Sequence, residues 1–122
     1  MNEKFSLKSA FGCAFKGIFA TASERNFKIE LCFGALVIIL GFALSISPLE
    51  WLAVIICIGL VLGGEAFNSA VEAIVDLASP GYHELAGKAK DCAAGGVLLF
   101  SLGALAVGIV IFLPKLLALI GV

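Results

Sequence analysis

Charge disappears from this chain over three stretches, Leu31 to Leu49, Trp51 to Gly64 and Cys92 to Pro114, and collects in the segments between them. A membrane-crossing helix needs about 18–20 apolar residues, and the first and third stretches meet that alone. The second is short and runs into Glu65, yet no helix breaker follows until Pro80-Gly81. The pattern therefore predicts one long helix with a polar stripe at its far end. The expected spans are 28–48, 50–79 and 91–114. Ahead of them, Leu7, Phe11, Phe15, Ile18 and Ala22 recur at helical spacing while Ser9, Cys13 and Lys16 face elsewhere, which predicts an amphipathic helix over 5–22. Too short and too charged to span, this helix is expected to lie along the membrane interface. The fold class is all-α integral membrane, and with no repeat or linker visible the whole of 1–122 reads as one domain.

Composition agrees with that pattern and narrows the function classes. The 122 residues are 61% hydrophobic, more than so short a chain could bury in water. A net charge of −1 gives no field that would draw the chain to nucleic acid. Cys13, Cys32, Cys57 and Cys92 form no C-x-x-C pair, which argues against a zinc site or a disulfide framework and reads as four small apolar residues in buried positions. Lys4, Lys8 and Lys16 interrupt any run that could serve as a cleaved signal, so a retained N-terminus is expected.

Where the cations sit predicts the orientation. Lys4, Lys8, Lys16, Arg25 and Lys28 accompany the start of the first span, and Lys88 and Lys90 lie between the second and third. The connection Ser45 to Glu50 has none and the tail has only Lys115. The N-terminus and the second loop are therefore expected in the cytoplasm, with Trp51 anchored at the outer interface.

The chemistry lies on the long second helix. Glu65, Asn68, Glu72 and Asp76 follow one another at spacings of three, four and four, so all four side chains share one face. Measured from Trp51 at about 1.5 Å per residue, Glu65 lies about 21 Å down, inside an apolar core ~30 Å thick. Glu72 falls near its inner boundary and Asp76 beyond it. A carboxylate at mid-membrane costs roughly 2.5–3.5 kcal/mol even on lenient scales, so function is its default explanation. The alternative is structural, with Glu65 and Glu72 pairing with Arg25, Lys28 or a hydroxyl to hold helices together.

Ser79 to Asp91 gathers donors, acceptors and an aromatic ring beside this stripe. It could cradle a nucleotide with Lys90 against the phosphates, or be a solvated connection in which His83 is an ordinary loop or cap histidine. Glu24 and Glu30 flank Arg25 and Lys28; either they form local ion pairs or one of them joins Glu72 around Mg²⁺, which takes one or two carboxylates plus phosphate oxygens. Gly59-x-x-x-Gly63, Gly95-Gly96 and Gly103 permit close helix approach. No P-loop and no glycine-rich kinase loop is present, so any ATP site is of another kind.

Glu65-Ala66-Phe67-Asn68-Ser69-Ala70-Val71-Glu72-Ala73-Ile74-Val75-Asp76, followed by Tyr82-His83-Glu84-Leu85-Ala86-Gly87-Lys88-Ala89-Lys90-Asp91, resembles the E-x-x-N-[ST]-A-[IV]-E-x-x-[IV]-D…H-x-x-A-x-x-A-K-D pattern of prokaryotic diacylglycerol and undecaprenol kinases. With Glu24-Arg25-Asn26 and the three-span layout, the likeness covers nearly the whole chain. The resemblance implies a homotrimer in the bacterial inner membrane, with active sites shared between protomers and facing the cytoplasm. It implies a lipid alcohol, diacylglycerol or undecaprenol, phosphorylated from ATP with Mg²⁺. Glu65 is then the general base, Glu24 and Glu72 the metal ligands, and Lys90 and Asp91 nucleotide contacts. Tyr82 and His83 line the same pocket, and Asn68 and Asp76 support it. Glu24-Arg25-Asn26 and Ala93-Ala94-Gly95-Gly96 look more like the undecaprenol branch. The chain departs from the pattern at Cys13, where the family often has tyrosine before A-x-x-G, and the upstream basic residue has two candidates, Lys4 and Lys8.

A different class of protein fits part of this pattern. A small proton- or ion-handling transport subunit needs an intramembrane carboxylate such as Glu65, but has no use for Glu72, Asp76 and a Lys90-Asp91 pair at the exit. A purely structural or pore-forming protein predicts that Glu65→Gln changes nothing.

Overall fold

The structure is a computed structural model and describes residues 6–122. Phe5, at the start of the expected amphipathic helix, and Lys4, one of the two basic candidates, lie outside the described residues. Four helices follow in order: α1 (Leu7–Ala22), α2 (Arg25–Ala43), α3 (Pro48–Ala78) and α4 (Glu84–Leu119). Of these, α2, α3 and α4 are long and apolar enough to cross a membrane.

The caps account for where the helices begin. Ser6 accepts the Ser9 N–H at 3.1 Å and starts α1. Ser47 and Glu50 form a reciprocal capping box, each side chain bonding the other's backbone N–H, with Pro48 in the first turn of α3 where its missing N–H is harmless. His83 Nδ1 accepts the Leu85 N–H at 3.1 Å and caps α4.

Two helices, α2 and α4, differ from the expected spans at both ends. α2 runs Arg25–Ala43 rather than 28–48, because Leu44 to Ser47 are needed to turn the chain and Ser45 takes a positive φ of 50° there. α4 starts at Glu84 rather than 91 and passes through Pro114 to Leu119. Charge had marked 84–91 as a connection, but Glu, Leu, Ala and Lys are good helix formers, so the helix simply continues past the apolar region. α3 has 31 residues and α4 36, or ~46 and ~54 Å at 1.5 Å per residue. Each exceeds an apolar core ~30 Å thick, and the surplus carries the polar residues.

α3 and α4 form the principal hairpin, held in one antiparallel register along its length. Lys115 Nζ meets Glu50 Oε2 at 3.1 Å at one end, Gly64 faces the Phe100 ring near the middle, and Lys90 Nζ meets Asp76 Oδ1 at 2.6 Å at the other. α2 lies antiparallel to α3 through Gly41 against Trp51 and Gly34 against Ile58. Ile46, Val54, Ile111 and Phe112 close a small core at the turn end, with Trp51 packed alongside. Trp51 also meets Phe42, ring centroids 4.8 Å apart.

Most large apolar side chains stay on the outside, including Leu7, Phe11, Phe15 and Ile18 of α1. In a bilayer this is not a defect, since lipid tails solvate such a surface as well as a protein core does. The same argument corrects the expectation for the cysteines: Cys13, Cys32 and Cys92 are exposed and only Cys57 is partly covered. The glycine motif finds no partner within this chain. A Cβ added at Gly59, Gly63, Gly95, Gly96 or Gly103 meets nothing within 4 Å, so the G-x-x-x-G does not join helices within this chain. Close approach occurs at Gly64 and Gly41 instead. At Gly41 an added Cβ would stand 2.6 Å from the Trp51 ring. Gly41→Ala is therefore expected to destabilise the protein, overpacking of this kind costing about 1–3 kcal/mol, of which the helix-propensity gain offsets at most about 1. Thermal unfolding in detergent checks the direction.

Candidate functional site

Helical spacing sets the polar face of α3, and the structure puts Glu65 at its deepest point. Glu65 is only 3% exposed, the one buried charged side chain among the described residues. Its charged neighbours are all acidic: Glu24 and Glu30 from the α2 side and Glu72 two turns along its own helix. Among the described residues no cation pairs with this buried carboxylate, and an unpaired carboxylate in a membrane span has function as its default explanation. The pairing of Glu65 or Glu72 with Arg25 or Lys28, the structural alternative, does not occur.

One turn further along, two consecutive residues each hold one carboxylate. Asn68 Nδ2 donates to Glu72 Oε1 at 3.2 Å. Ser69 Oγ donates to Glu24 Oε2 at 2.6 Å, across from α3 to the residue that begins α2. Two carboxylates far apart in sequence are thereby each tied to the same turn of α3. Asn68 Oδ1 is buried without a hydrogen-bond partner among the described residues. This leaves an unmet acceptor beside Glu72, the kind of atom that accepts from the water shell of a hydrated cation. Among the described residues no group of three or more His, Cys, Asp and Glu side chains is gathered as a ready metal cage.

The far end of the stripe is closed by the Lys90–Asp76 pair, with side chains 42% and 67% exposed. Lys90 thus belongs to the same face as Glu72, but through α4 rather than through a loop. Asp91, the next residue, is turned about 100° away by the helix and is exposed. Tyr82 is 96% exposed and projects from the turn. His83 lines a cavity of ≈ 360 Å³ between the end of α3 and the start of α4, together with Val75, Ser79 and Ala86. Neither Tyr82 nor Lys90 lines it, so within one chain the expected nucleotide contacts do not share a pocket. With Nδ1 accepting from Leu85, the His83 proton sits on Nε2, which stays available as a donor.

Two residues stand out that motif spacing had not assigned. Ser69 was passed over because a serine on a helix face carries no signal until its partner is known. Glu30 was one of two open choices beside Glu72; it lines an apolar groove of ≈ 530 Å³ between α2 and α4, with Phe33, Ala104 and Leu105 among its walls. Lys8, the remaining basic candidate near the N-terminus, is exposed on α1.

Comparison with known proteins finds relatives along most of the chain. The family described as prokaryotic diacylglycerol kinase matches residues 12–112, which takes in the carboxylate stripe, Glu24 and the Lys90 end. The chain is 40% identical over 116 residues to an undecaprenol kinase of Bacillus subtilis, covering 94% of each chain. It is 42% identical over 121 residues to a diacylglycerol kinase of Synechocystis, covering 93% of this chain and 66% of that one. To a diacylglycerol kinase of Escherichia coli it is 34% identical over 91 residues, 74% of this chain and 75% of that one. A match that reaches into all four helices and takes in every candidate site residue places this chain in the prokaryotic diacylglycerol kinase family.

Proposed function

We propose that this chain is an ATP-dependent lipid kinase that phosphorylates the hydroxyl of a membrane lipid alcohol, diacylglycerol or undecaprenol, at the cytoplasmic face of the bacterial inner membrane. The observation that carries this is the buried Glu65 at the head of a polar face whose next members are two carboxylates, Glu72 and Glu24, each held by one hydrogen bond.

Glu65 is the general base. It takes the proton of the lipid hydroxyl as that oxygen attacks the γ-phosphorus in line and ADP leaves from the opposite side. Its depth suits a hydroxyl at the boundary between headgroup and tail, while Glu72 and Lys90 lie toward the water that supplies ATP. Glu24 and Glu72 would hold Mg²⁺; two carboxylates is the number this ion takes beside phosphate oxygens, and the unmet Asn68 Oδ1 suits its hydration shell. Bound there, Mg²⁺ supplies positive charge that offsets charge on the transferring phosphoryl group. Lys90, held by Asp76, adds a second cation for the phosphates, and Asp91, Tyr82 and His83 complete the nucleotide contacts.

The wider organisation follows the same reading. One domain, 1–122, crosses the membrane three times, through α2, α3 and α4, and α1 lies in the cytoplasmic interface with Leu7, Phe11, Phe15 and Ile18 toward the lipid. The protein is a homotrimer with active sites shared between protomers. In support, the glycine faces of α3 and α4 are open in the single chain, and Tyr82, Asp91 and the His83 cavity are not brought together within one protomer.

Phosphate transfer from radiolabelled ATP to diacylglycerol and to undecaprenol, assayed side by side in bicelles with Mg²⁺, tests the proposal. Label in either lipid is the expected result and names the acceptor. Folded protein that labels neither, and does not bind ATP, would return the ion-handling alternative.

A further inference from the structure

Glu24 is the N-cap of α2, the position where a side-chain oxygen usually accepts an N–H of the first turn. It makes no such bond. Its Oε2 accepts instead from Ser69 Oγ at 2.6 Å, the one side-chain hydrogen bond between the start of α2 and α3 among the described residues. The backbone here is fixed by other means: Glu24 N–H donates to Thr21 O at 2.9 Å, Lys28 N–H to Glu24 O at 3.1 Å, and Ser23 Oγ to Ala20 O at 2.7 Å. What these bonds leave free is the glutamate side chain, which is exposed and would otherwise sample many rotamers.

We propose that Ser69 is a positioning residue: its hydroxyl fixes the Glu24 carboxylate against α3 so that Glu24 and Glu72 present their remaining oxygens to one nucleotide-bound divalent cation. Ser69 lies four residues after Glu65 and three before Glu72, so it stands on the helix face between the base and the carboxylate pair. Asn68 does for Glu72 what Ser69 does for Glu24, each donating to a single oxygen and leaving the other, Glu24 Oε1 and Glu72 Oε2, without a protein donor among the described residues. Donors placed behind metal-binding carboxylates in this way set the ligand's orientation, and their removal typically weakens metal affinity by about 10–100-fold.

The inference rests on the proposal that Glu24 and Glu72 hold the metal, and the test separates the two. Binding of a non-hydrolysable ATP analogue to the purified protein is measured by calorimetry with Mg²⁺ and in EDTA. The ratio of the two affinities reports the bridge from protein to metal without any turnover. Ser69→Ala is expected to shrink that ratio about 10–100-fold, to leave the unliganded melting temperature unchanged, and to be rescued by Ser69→Thr. Alanine is a better helix former than serine, so the variant folds. A ratio unchanged in Ser69→Ala but collapsed in Glu72→Gln overturns the role of Ser69 while the metal site stands. A fall in melting temperature without rescue by threonine overturns it too, as a structural effect. If Glu24→Gln and Glu72→Gln both leave the ratio intact, the metal site itself fails and the inference goes with it.

Discussion

Glu65→Gln will lower lipid-dependent phosphoryl transfer by about 10²–10⁴-fold, the usual range for removing a general base, while ATP still binds and the protein still folds. Glutamine keeps the size and shape of glutamate, so the packing around this 3% exposed side chain is retained. Electrostatically the change relieves the site, because among the described residues Glu65 faces Glu24, Glu30 and Glu72 and no cation. A neutral amide there removes repulsion and leaves no charge unpaired, so lost activity cannot be put down to lost stability. On the proposed mechanism, what it removes is the ability to accept a proton from the lipid hydroxyl. The loss is expected in kcat with the KM for MgATP within a factor of about three, since Glu65 lies on the lipid side of the metal pair. Steady-state kinetics beside thermal unfolding check both halves. Activity within a few-fold of wild type in the folded variant would show that another group takes the proton.

That prediction was largely readable from spacing. Glu65, Asn68, Glu72 and Asp76 fall on one face by arithmetic, and no environment could move them off it while α3 stays helical. The length of α3 was readable for the same reason, there being no breaker before Pro80. The start of α4 was not. Lys88, Lys90 and Asp91 look like loop residues when charge is taken to mark the membrane edge, whereas a helix can carry charge freely once it has left the bilayer. The caps explain the true boundary, with His83 accepting from Leu85 as the cap histidine that was one of its two readings.

Contacts between helices were less legible. The bond from Ser69 to Glu24 depends on how far α2 slides along α3, and that register is set by Gly41 under Trp51 at the far end of α2 and by Gly34 against Ile58 midway along it. Nothing local to Ser69 records it. The cysteines failed for another reason: small apolar residues are buried in water-soluble proteins, but a bilayer rewards them equally on the outside. The Gly59-x-x-x-Gly63 motif identifies a face that can be approached closely, and in this chain it is Gly64 that the neighbouring helix uses.

The second large effect is expected at Glu72. Glu72→Gln keeps the hydrogen bond from Asn68, because the amide oxygen can still accept it at the place of Oε1. Helix α3 and its packing are therefore undisturbed, and Glu72 is exposed, so no buried group is left without a partner. On the proposed roles the change deletes one of the two negative charges that would hold Mg²⁺, and a metal ion contributes several kcal/mol of charge stabilisation during phosphoryl transfer. At 1.36 kcal/mol per factor of ten, loss of even half of that lowers turnover by about a hundredfold. The signature differs from that of Glu65→Gln. Raising Mg²⁺ is expected to restore part of the Glu72→Gln activity, because the remaining carboxylate, Glu24, is still fixed by Ser69 and the defect is one of affinity. No Mg²⁺ concentration restores Glu65→Gln, whose defect is in proton transfer. Titrating both variants with Mg²⁺ at saturating ATP and lipid separates the two roles: parallel curves would merge them, while rescue of Glu72→Gln alone assigns the base to the buried residue and the metal to the one nearer the water.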